Sequence, residues 1–137
     1  MWWCIILKIL LISDNKKLFN LTRNSIDSEH ELIWENYASI TSNKYLCSDV
    51  VILHFTQIML EKGILISLVK MKIKLGALVP ILAVVEGGTP QQLFSLLKVG
   101  AYDYVDILSK EQDIYKEKIS NIIMWKWYLE KYGKLKK

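Results

Sequence analysis

The chain alternates short apolar runs with stretches in which apolar residues recur every three or four positions. The first pattern marks strands and the second marks amphipathic helices. IILKILLIS (5–13) reads as a first strand ending at Asp14-Asn15, a pair suited to cap a helix. Leu18, Phe19, Thr22 and Ile26 follow at helical spacing. HELIWENY (30–37) reads as a half-buried second strand, and the stretch to Ser48 leaves room for a short second helix. DVVILHF (49–55) is a third strand whose apolar residues suit burial on both faces, with His54 set near its end.

MLEKGILISLVKMKIKL (59–75) reads as a third helix despite Gly63, and LVPILAVV (78–85) as the fourth strand. Thr89 then takes the N-cap position of a fourth helix, with Pro90 at its first position and Gln92 closing a capping box. Gly100 ends that helix, YDYVDI (102–107) is the fifth strand, and 110 to about 132 is a long last helix.

Strands alternating with helices predict a parallel sheet covered on both faces. Five such units predict an α/β fold: a flavodoxin-like, doubly wound, five-stranded parallel sheet of order 2-1-3-4-5 with an extended C-terminal helix. The sequence shows no internal repeat or linker, so residues 1–137 read as one domain with a core over about 7–130 and a basic helical tail at 126–137. In sheets of this kind functional groups gather at the carboxyl ends of the strands, beside the point where strand order reverses. That rule selects Asp14 and Asn15, His54, Val85 and Glu86, and Asp106 and Ile107.

Composition narrows the function classes. Hydrophobic residues make up 52% of the chain, yet no run reaches the ~18 apolar residues of a membrane-spanning helix. MWWCIILKILLI comes nearest, but Lys8 interrupts it and neither a basic n-region nor a cleavage site accompanies it. It reads as a strand with an aromatic lead-in, and no membrane partner is expected. Cys4 and Cys47 have no motif spacing, which suits reduced thiols in the cytoplasm. Residues 126–137 hold five lysines and one acid, Glu130, and this excess equals the net charge of +4 for the whole chain. The remainder is neutral, so nucleic acid is not an expected partner of the domain itself. Gly87-Gly88 is too short for a phosphate-binding loop.

The motifs resemble those of bacterial response-regulator receiver (CheY-like) domains over about residues 7–130. The family's first strand ends in two acids, and the same place here reads ISDN. Its third strand is an acid, four apolar residues and the phosphoacceptor Asp, matched by D-VVIL-H. The form Pro-Ile-Ile-x-Leu-Thr-Ala is matched by PILAVVE, and Gly-Ala-x-Asp-Tyr-Leu-x-Lys-Pro by GAYDYVDIL at 100–108. The interval of 22 residues from Val85 to Ile107 is also that of the family.

The resemblance implies a degenerate phosphorylation pocket. His54 stands at the phosphoacceptor position. Asp14 keeps one metal-binding acid while Asn15 replaces the other. Val85 replaces the hydroxyl residue, Glu86 the small residue beside it, Ile107 the lysine and Leu108 the proline. Mg²⁺ wants hard oxygen ligands, and Asp14 is the one clear candidate, so no cofactor is expected. Loss of a hydrogen bond to a charged partner costs about 1.5–3 kcal/mol, and Glu86 brings negative charge toward an incoming phosphate. The expectation is a non-enzymatic pseudo-receiver in a two-component or phosphorelay-type pathway, not phosphorylated by the usual chemistry.

Several roles stay open for His54: phosphohistidine, metal ligand with Asp14 and Glu86, pH sensor, or a neutral imidazole bonded to Asp14 or the backbone. Glu86 is read as a solvated loop carboxylate, with a built-in signalling charge as the alternative. The second histidine, His30, is expected at the opposite end of the sheet. By resemblance, Tyr104 is the switch aromatic on the face formed by the fourth helix, fifth strand and last helix. In the last helix Tyr115, Ile119, Ile122, Ile123 and Trp127 form the stripe expected on the sheet, and Trp125, Tyr128 and Tyr132 cluster elsewhere. Those three aromatics predict either an interaction surface for a protein partner or a homodimer, or packing on Trp2-Trp3 or a neighbouring loop. The long last helix also resembles those that lead into a C-terminal output domain. Two other readings are a small-ligand or metal sensor using Asp14, His54 and Glu86, and a conventional receiver with altered chemistry.

Overall fold

The computed structural model describes residues 6–36, 48–62, 73, 78–107 and 112–132. The expectations placed on Trp2, Trp3, Cys4, Cys47, Leu108, the second helix and the lysines beyond Tyr132 lie outside these residues. Five strands form one parallel sheet of order β2-β1-β3-β4-β5. They are β1 (Lys8–Ile12), β2 (Glu31–Glu35), β3 (Val50–Phe55), β4 (Ile81–Val85) and β5 (Asp103–Asp106). Four helices, numbered over the described residues, are α1 (Lys16–Ser25), α2 (Gln57–Glu61), α3 (Pro90–Lys98) and α4 (Gln112–Tyr132). The expected α/β, doubly wound order is the one observed.

Burial follows strand position. Every residue of β3 and β4 is buried, as befits central strands of a parallel sheet with helices on both faces. The edge strand β2 is only half-buried. Alternation along the strands sorts the core into two layers. Leu10, Ile12, Val51, Leu53, Phe55, Ile81, Ala83 and Val85 face α2 and α3, with Leu60 and Leu96 packed among them. Ile9, Leu11, Val50, Ile52, Leu82, Val84 and Val105 face α1 and α4, meeting Leu18, Tyr115, Ile119 and Ile122.

The helix starts are built locally. Asn15 Oδ1 accepts the backbone N–H of Lys17 and of Leu18 at the start of α1. Thr89 and Gln92 form the expected reciprocal capping box at α3, with Pro90 in the first turn. Thr56 caps α2 through the N–H of Met59, two residues ahead of the start read from the sequence. Beyond Lys62 the expected helix 59–75 lies outside the described residues except for Ile73.

The stripe on α4 differs from the expectation at its C-terminal end. Tyr115, Ile119 and Ile122 are buried, but the next buried position is Lys126, 4% exposed, and Trp127 is only half-buried. Lys126 therefore does not belong to a solvated tail. Its Nζ donates to the Leu78 carbonyl at 3.0 Å and pairs with Glu130 at 2.8 Å, while its stem lies along the helix's inner face. Above it, Thr22 Oγ1 and Tyr115 Oη lie 2.6 Å apart between α1 and α4, and Thr22 also donates to the Leu18 carbonyl. Tyr115 thus donates to Thr22, and burial pushes its phenol well above the usual tyrosine range.

Candidate functional site

Parity along three adjacent strands brings three polar side chains together. Ser13 continues the row of Ile9 and Leu11 past the end of β1. His54 continues Val50 and Ile52 on β3, and Glu86 continues Leu82 and Val84 past β4. The pairings Ile12 with Leu53 and His54 with Val84 place all three at the carboxyl edge, on the α1/α4 face.

His54 is 2% exposed and bonded through both ring nitrogens. Nδ1 lies 2.7 Å from Ser13 Oγ, and Nε2 lies 2.6 Å from Glu86 Oε2. An ionised carboxylate only accepts, which assigns the Nε2 hydrogen to the bond with Glu86. The Ser13 oxygen bonded to Nδ1 in turn accepts the Asn15 N–H at 3.0 Å. A continuous hydrogen-bonded chain therefore runs from Asn15 through Ser13 and His54 to Glu86. The ring nitrogens of His54 thus meet Ser13 and Glu86, where the sequence suggested Asp14 or a backbone group. Glu86 is likewise no solvated loop carboxylate: its side chain is 28% exposed and held against the histidine.

The loop after β4 is tied on its other side as well. Gly87 N–H donates to Asp106 Oδ1 at 3.0 Å, and Ile107 N–H to the Val85 carbonyl at 2.9 Å. Gly88 adopts φ +116° where the chain turns toward α3, and a Cβ there would meet Leu60 and Leu93 at 3.4 Å.

Above these groups opens a cleft of about 370 Å³ lined by Asp14, Asn15, Lys16, His54, Thr56, Met59 and Glu86. Asp14 is exposed at its rim. Val85 is buried in the core and Ile107 packs against the α1/α4 layer, so neither side chain lines the cleft. The Mg²⁺ implied by the receiver resemblance does not fit this donor set. Asn15 Oδ1 is taken by the helix cap and both His54 nitrogens are bonded, so among the described residues lining the cleft the carboxylates offered to it are Asp14 at the rim and Glu86, which His54 already holds. Among the described residues, no group of three or more His, Cys, Asp or Glu side chains could hold a metal ion.

His30 sits at the other end of the sheet, where its Nδ1 accepts the Leu7 N–H at 3.1 Å. Tyr104 packs on the α2/α3 core layer from the edge strand β5. Beside it Lys118 pairs with Asp103 at 2.6 Å. Trp125, Tyr128 and Tyr132 are 40%, 48% and 39% exposed. They continue a row that begins at Tyr102, a residue the sequence reading left out, stacked as far as Tyr128 and tilted at Tyr132. Ser13, Lys16 and Thr56 were also left out. Of these, Ser13 carried a signal, a polar residue directly after a buried run in phase with its core-facing positions.

No family model matches the chain, and no curated protein matches it by sequence. Solved structures do match in shape. NtrX from Brucella abortus in complex with ADP superposes with a TM-score of 0.73 at 17% identity, covering 96% of this chain and 29% of that one. A CheY-like response regulator protein from Mesorhizobium loti gives 0.67 at 15% identity, covering 89% and 99%. HP1043, an orphan response regulator of H. pylori, gives 0.63 at 18% identity, covering 85% and 95%. The chain thus has the flavodoxin-like fold seen in CheY-like receiver domains, and spans under a third of the NtrX chain. Among the described residues, no helix is long and apolar enough to cross a membrane.

Proposed function

We propose that this chain is a receiver-type signalling domain that carries no aspartyl phosphate and works through protein–protein contact. The observation that carries this reading is the placement of His54. It ends the central strand where a receiver of this fold takes its phosphoryl group, and Ser13 and Glu86 occupy both of its nitrogens. A phosphoryl group transferred to Nε2 would have to displace Glu86 and then lie beside its negative charge. The buried Val85 and half-buried Ile107 offer no hydroxyl or ammonium to receive it. The domain is proposed to have no catalytic chemistry of its own and to act in the cytoplasm.

Its contact face is proposed to be the one built from α3, β5 and α4, with Tyr104 and the row at Trp125, Tyr128 and Tyr132. A protein partner and a homodimer both fit that reading, and an output domain following α4 is part of it. The test is incubation with acetyl phosphate and Mg²⁺ followed by intact-mass analysis. An unmodified mass is expected. A phosphoryl adduct that disappears in His54→Ala would overturn the reading in favour of altered phosphotransfer. A thermal-shift screen of divalent metals and nucleotides tests the sensor alternative, for which stabilisation lost in His54→Ala is the required sign.

A further inference from the structure

A second cavity, of about 430 Å³, opens at the opposite end of the sheet from His54, between the last turn of α1, the loop that follows it and β2. That volume falls in the lower part of the range of ligand clefts, roughly 300–1,000 Å³. The lining includes Phe19, Arg23, Ile26, Asp27, His30 and Leu32. Its three apolar residues are half-buried and packed against the α1/α4 core layer, so each is held on one side and offered to the cavity on another. Phe19 is fixed further by stacking on Trp34, with ring centroids 4.7 Å apart and planes inclined by 16°. The apolar part of the cavity is therefore formed before anything enters it.

Two opposite charges line this cavity without meeting. Arg23 and Asp27 are four residues apart, the spacing at which an uninterrupted helix makes side chains neighbours. Here α1 ends at Ser25, and Ile26 is extended at φ −113° and ψ 139°, which carries Asp27 off the helix. Among the described residues, neither the Arg23 guanidinium nor the Asp27 carboxylate has a hydrogen bond or an ion pair.

His30 adds a polar group of fixed character. The Leu7 N–H donates to its Nδ1 at 3.1 Å, so that nitrogen carries no hydrogen and the neutral ring carries it on Nε2. Nε2 is thus a donor, and among the described residues it has no partner.

The charges decide what the cavity can take. A lone anion would meet Arg23 but also face Asp27, and a lone cation would meet Asp27 but face Arg23. A peptide end offers a carboxylate without an adjacent ammonium and leaves Asp27 unmatched. A small zwitterion with an apolar side chain matches both charges and the apolar residues together. The guanidinium fork suits a carboxylate, and the His30 N–H is a second donor for it.

We propose that this cavity binds a free amino acid with an apolar side chain, its carboxylate on Arg23 and His30, its ammonium on Asp27. The side chain rests on Phe19, Ile26 and Leu32. This site is independent of the contact reading above, and neither stands or falls with the other. The test is isothermal titration of the full chain with L-phenylalanine and L-leucine. The comparison ligands are 3-phenylpropionate, phenethylamine and N-acetyl-L-phenylalanine, which lack the ammonium, the carboxylate and the free amine in turn. Amide shifts of the ¹⁵N-labelled chain locate the bound ligand.

Because both charges are exposed, a Kd of about 0.1–1 mM is expected for at least one of the two amino acids. The three comparison ligands are expected to bind at least about tenfold more weakly. Arg23→Gln and Asp27→Asn are each expected to lose about tenfold with an unchanged thermal melt. Asp27→Asn is also expected to remove the preference for L-phenylalanine over 3-phenylpropionate, a change that misfolding does not produce. Amide shifts are expected to gather in residues 19–32. Equal affinity for any of the three comparison ligands overturns the zwitterion, and shifts centred on Asp14, His54 and Glu86 overturn the site. No saturable binding of either amino acid up to about 10 mM overturns the proposal outright.

Discussion

His54 Nε2 lies 2.6 Å from Glu86 Oε2, joining the end of the central strand β3 to the loop that leaves β4. In this fold that loop separates the strand from the helix beside the edge of the sheet. Here a side-chain bond fastens it with no added group.

Removing either member of this pair leaves the other short of a partner in a mostly buried place. Glu86→Ala is expected to destabilise the domain by about 1–2 kcal/mol, moderated by water reaching the partly exposed site. His54→Asp is expected to cost more, about 2–4 kcal/mol, because it sets a buried carboxylate beside Glu86. Urea unfolding of both variants checks the order. A His54→Asp protein as stable as the parent would contradict the geometry of the pair.

The bond between Thr22 and Tyr115 makes a second prediction through paired substitution. Thr22→Val leaves the Tyr115 hydroxyl buried without its acceptor and is expected to cost about 1–2 kcal/mol. Thr22→Val/Tyr115→Phe, which removes both partners, is expected to recover part of that loss. A double-mutant cycle from denaturation midpoints reads the coupling directly.

The same tyrosine predicts a pH dependence. Its phenol is raised in the folded state above its ordinary value of 10.0. Above that pH the unfolded chain loses a proton that the folded chain keeps, so the unfolded state gains the advantage. Stability is therefore fully present below about pH 10 and falls as pH rises beyond it, by up to about 1.4 kcal/mol per unit from this group. Tyr115→Phe is expected to flatten that slope when unfolding is followed across the alkaline range.

Lys126 should behave as a core residue with a polar tip. Lys126→Ala is expected to lose about 2–3 kcal/mol through lost stem packing and an orphaned Leu78 carbonyl, and Lys126→Met about half of that. Equal, near-zero effects in thermal or chemical unfolding would place Lys126 in solvent after all.

At Gly88 the positive φ and the close approach of Leu60 and Leu93 make any side chain strained. Gly88→Ala is expected to cost about 1–2 kcal/mol. Hydrogen exchange in the segment 86–92 reports whether the loop after β4 loosens with it.

Much of this arrangement was legible along the chain. The apolar runs placed all five strands, and Thr89, Pro90 and Gln92 placed the start of α3 to the residue, because these signals act within a few positions of themselves. His54 stood out for the same reason, as a polar group inside a buried run. Its partners did not. Asp14 is an acid and drew the histidine's bond on paper, yet it lies one step out of phase with Leu11 and Ser13 and faces solvent. Only the register of β1 against β3 shows that Ser13 is the residue in line.

Lys126 and Tyr102 were missed in the same way. A lysine near the end of a basic helix reads as solvated until the helix is docked and the Leu78 carbonyl stands within reach. Tyr102 lies 23 residues before Trp125, and nothing local links the two. Strand and helix identity and the caps follow from periodicity and turn chemistry, which neighbouring residues set between them, while the order of the sheet was expected from likeness to a flavodoxin-like fold. The closing of Ser13, His54 and Glu86 into one chain, and of four aromatics into one row, was decided by register and helix docking, which bring together residues that the sequence keeps far apart.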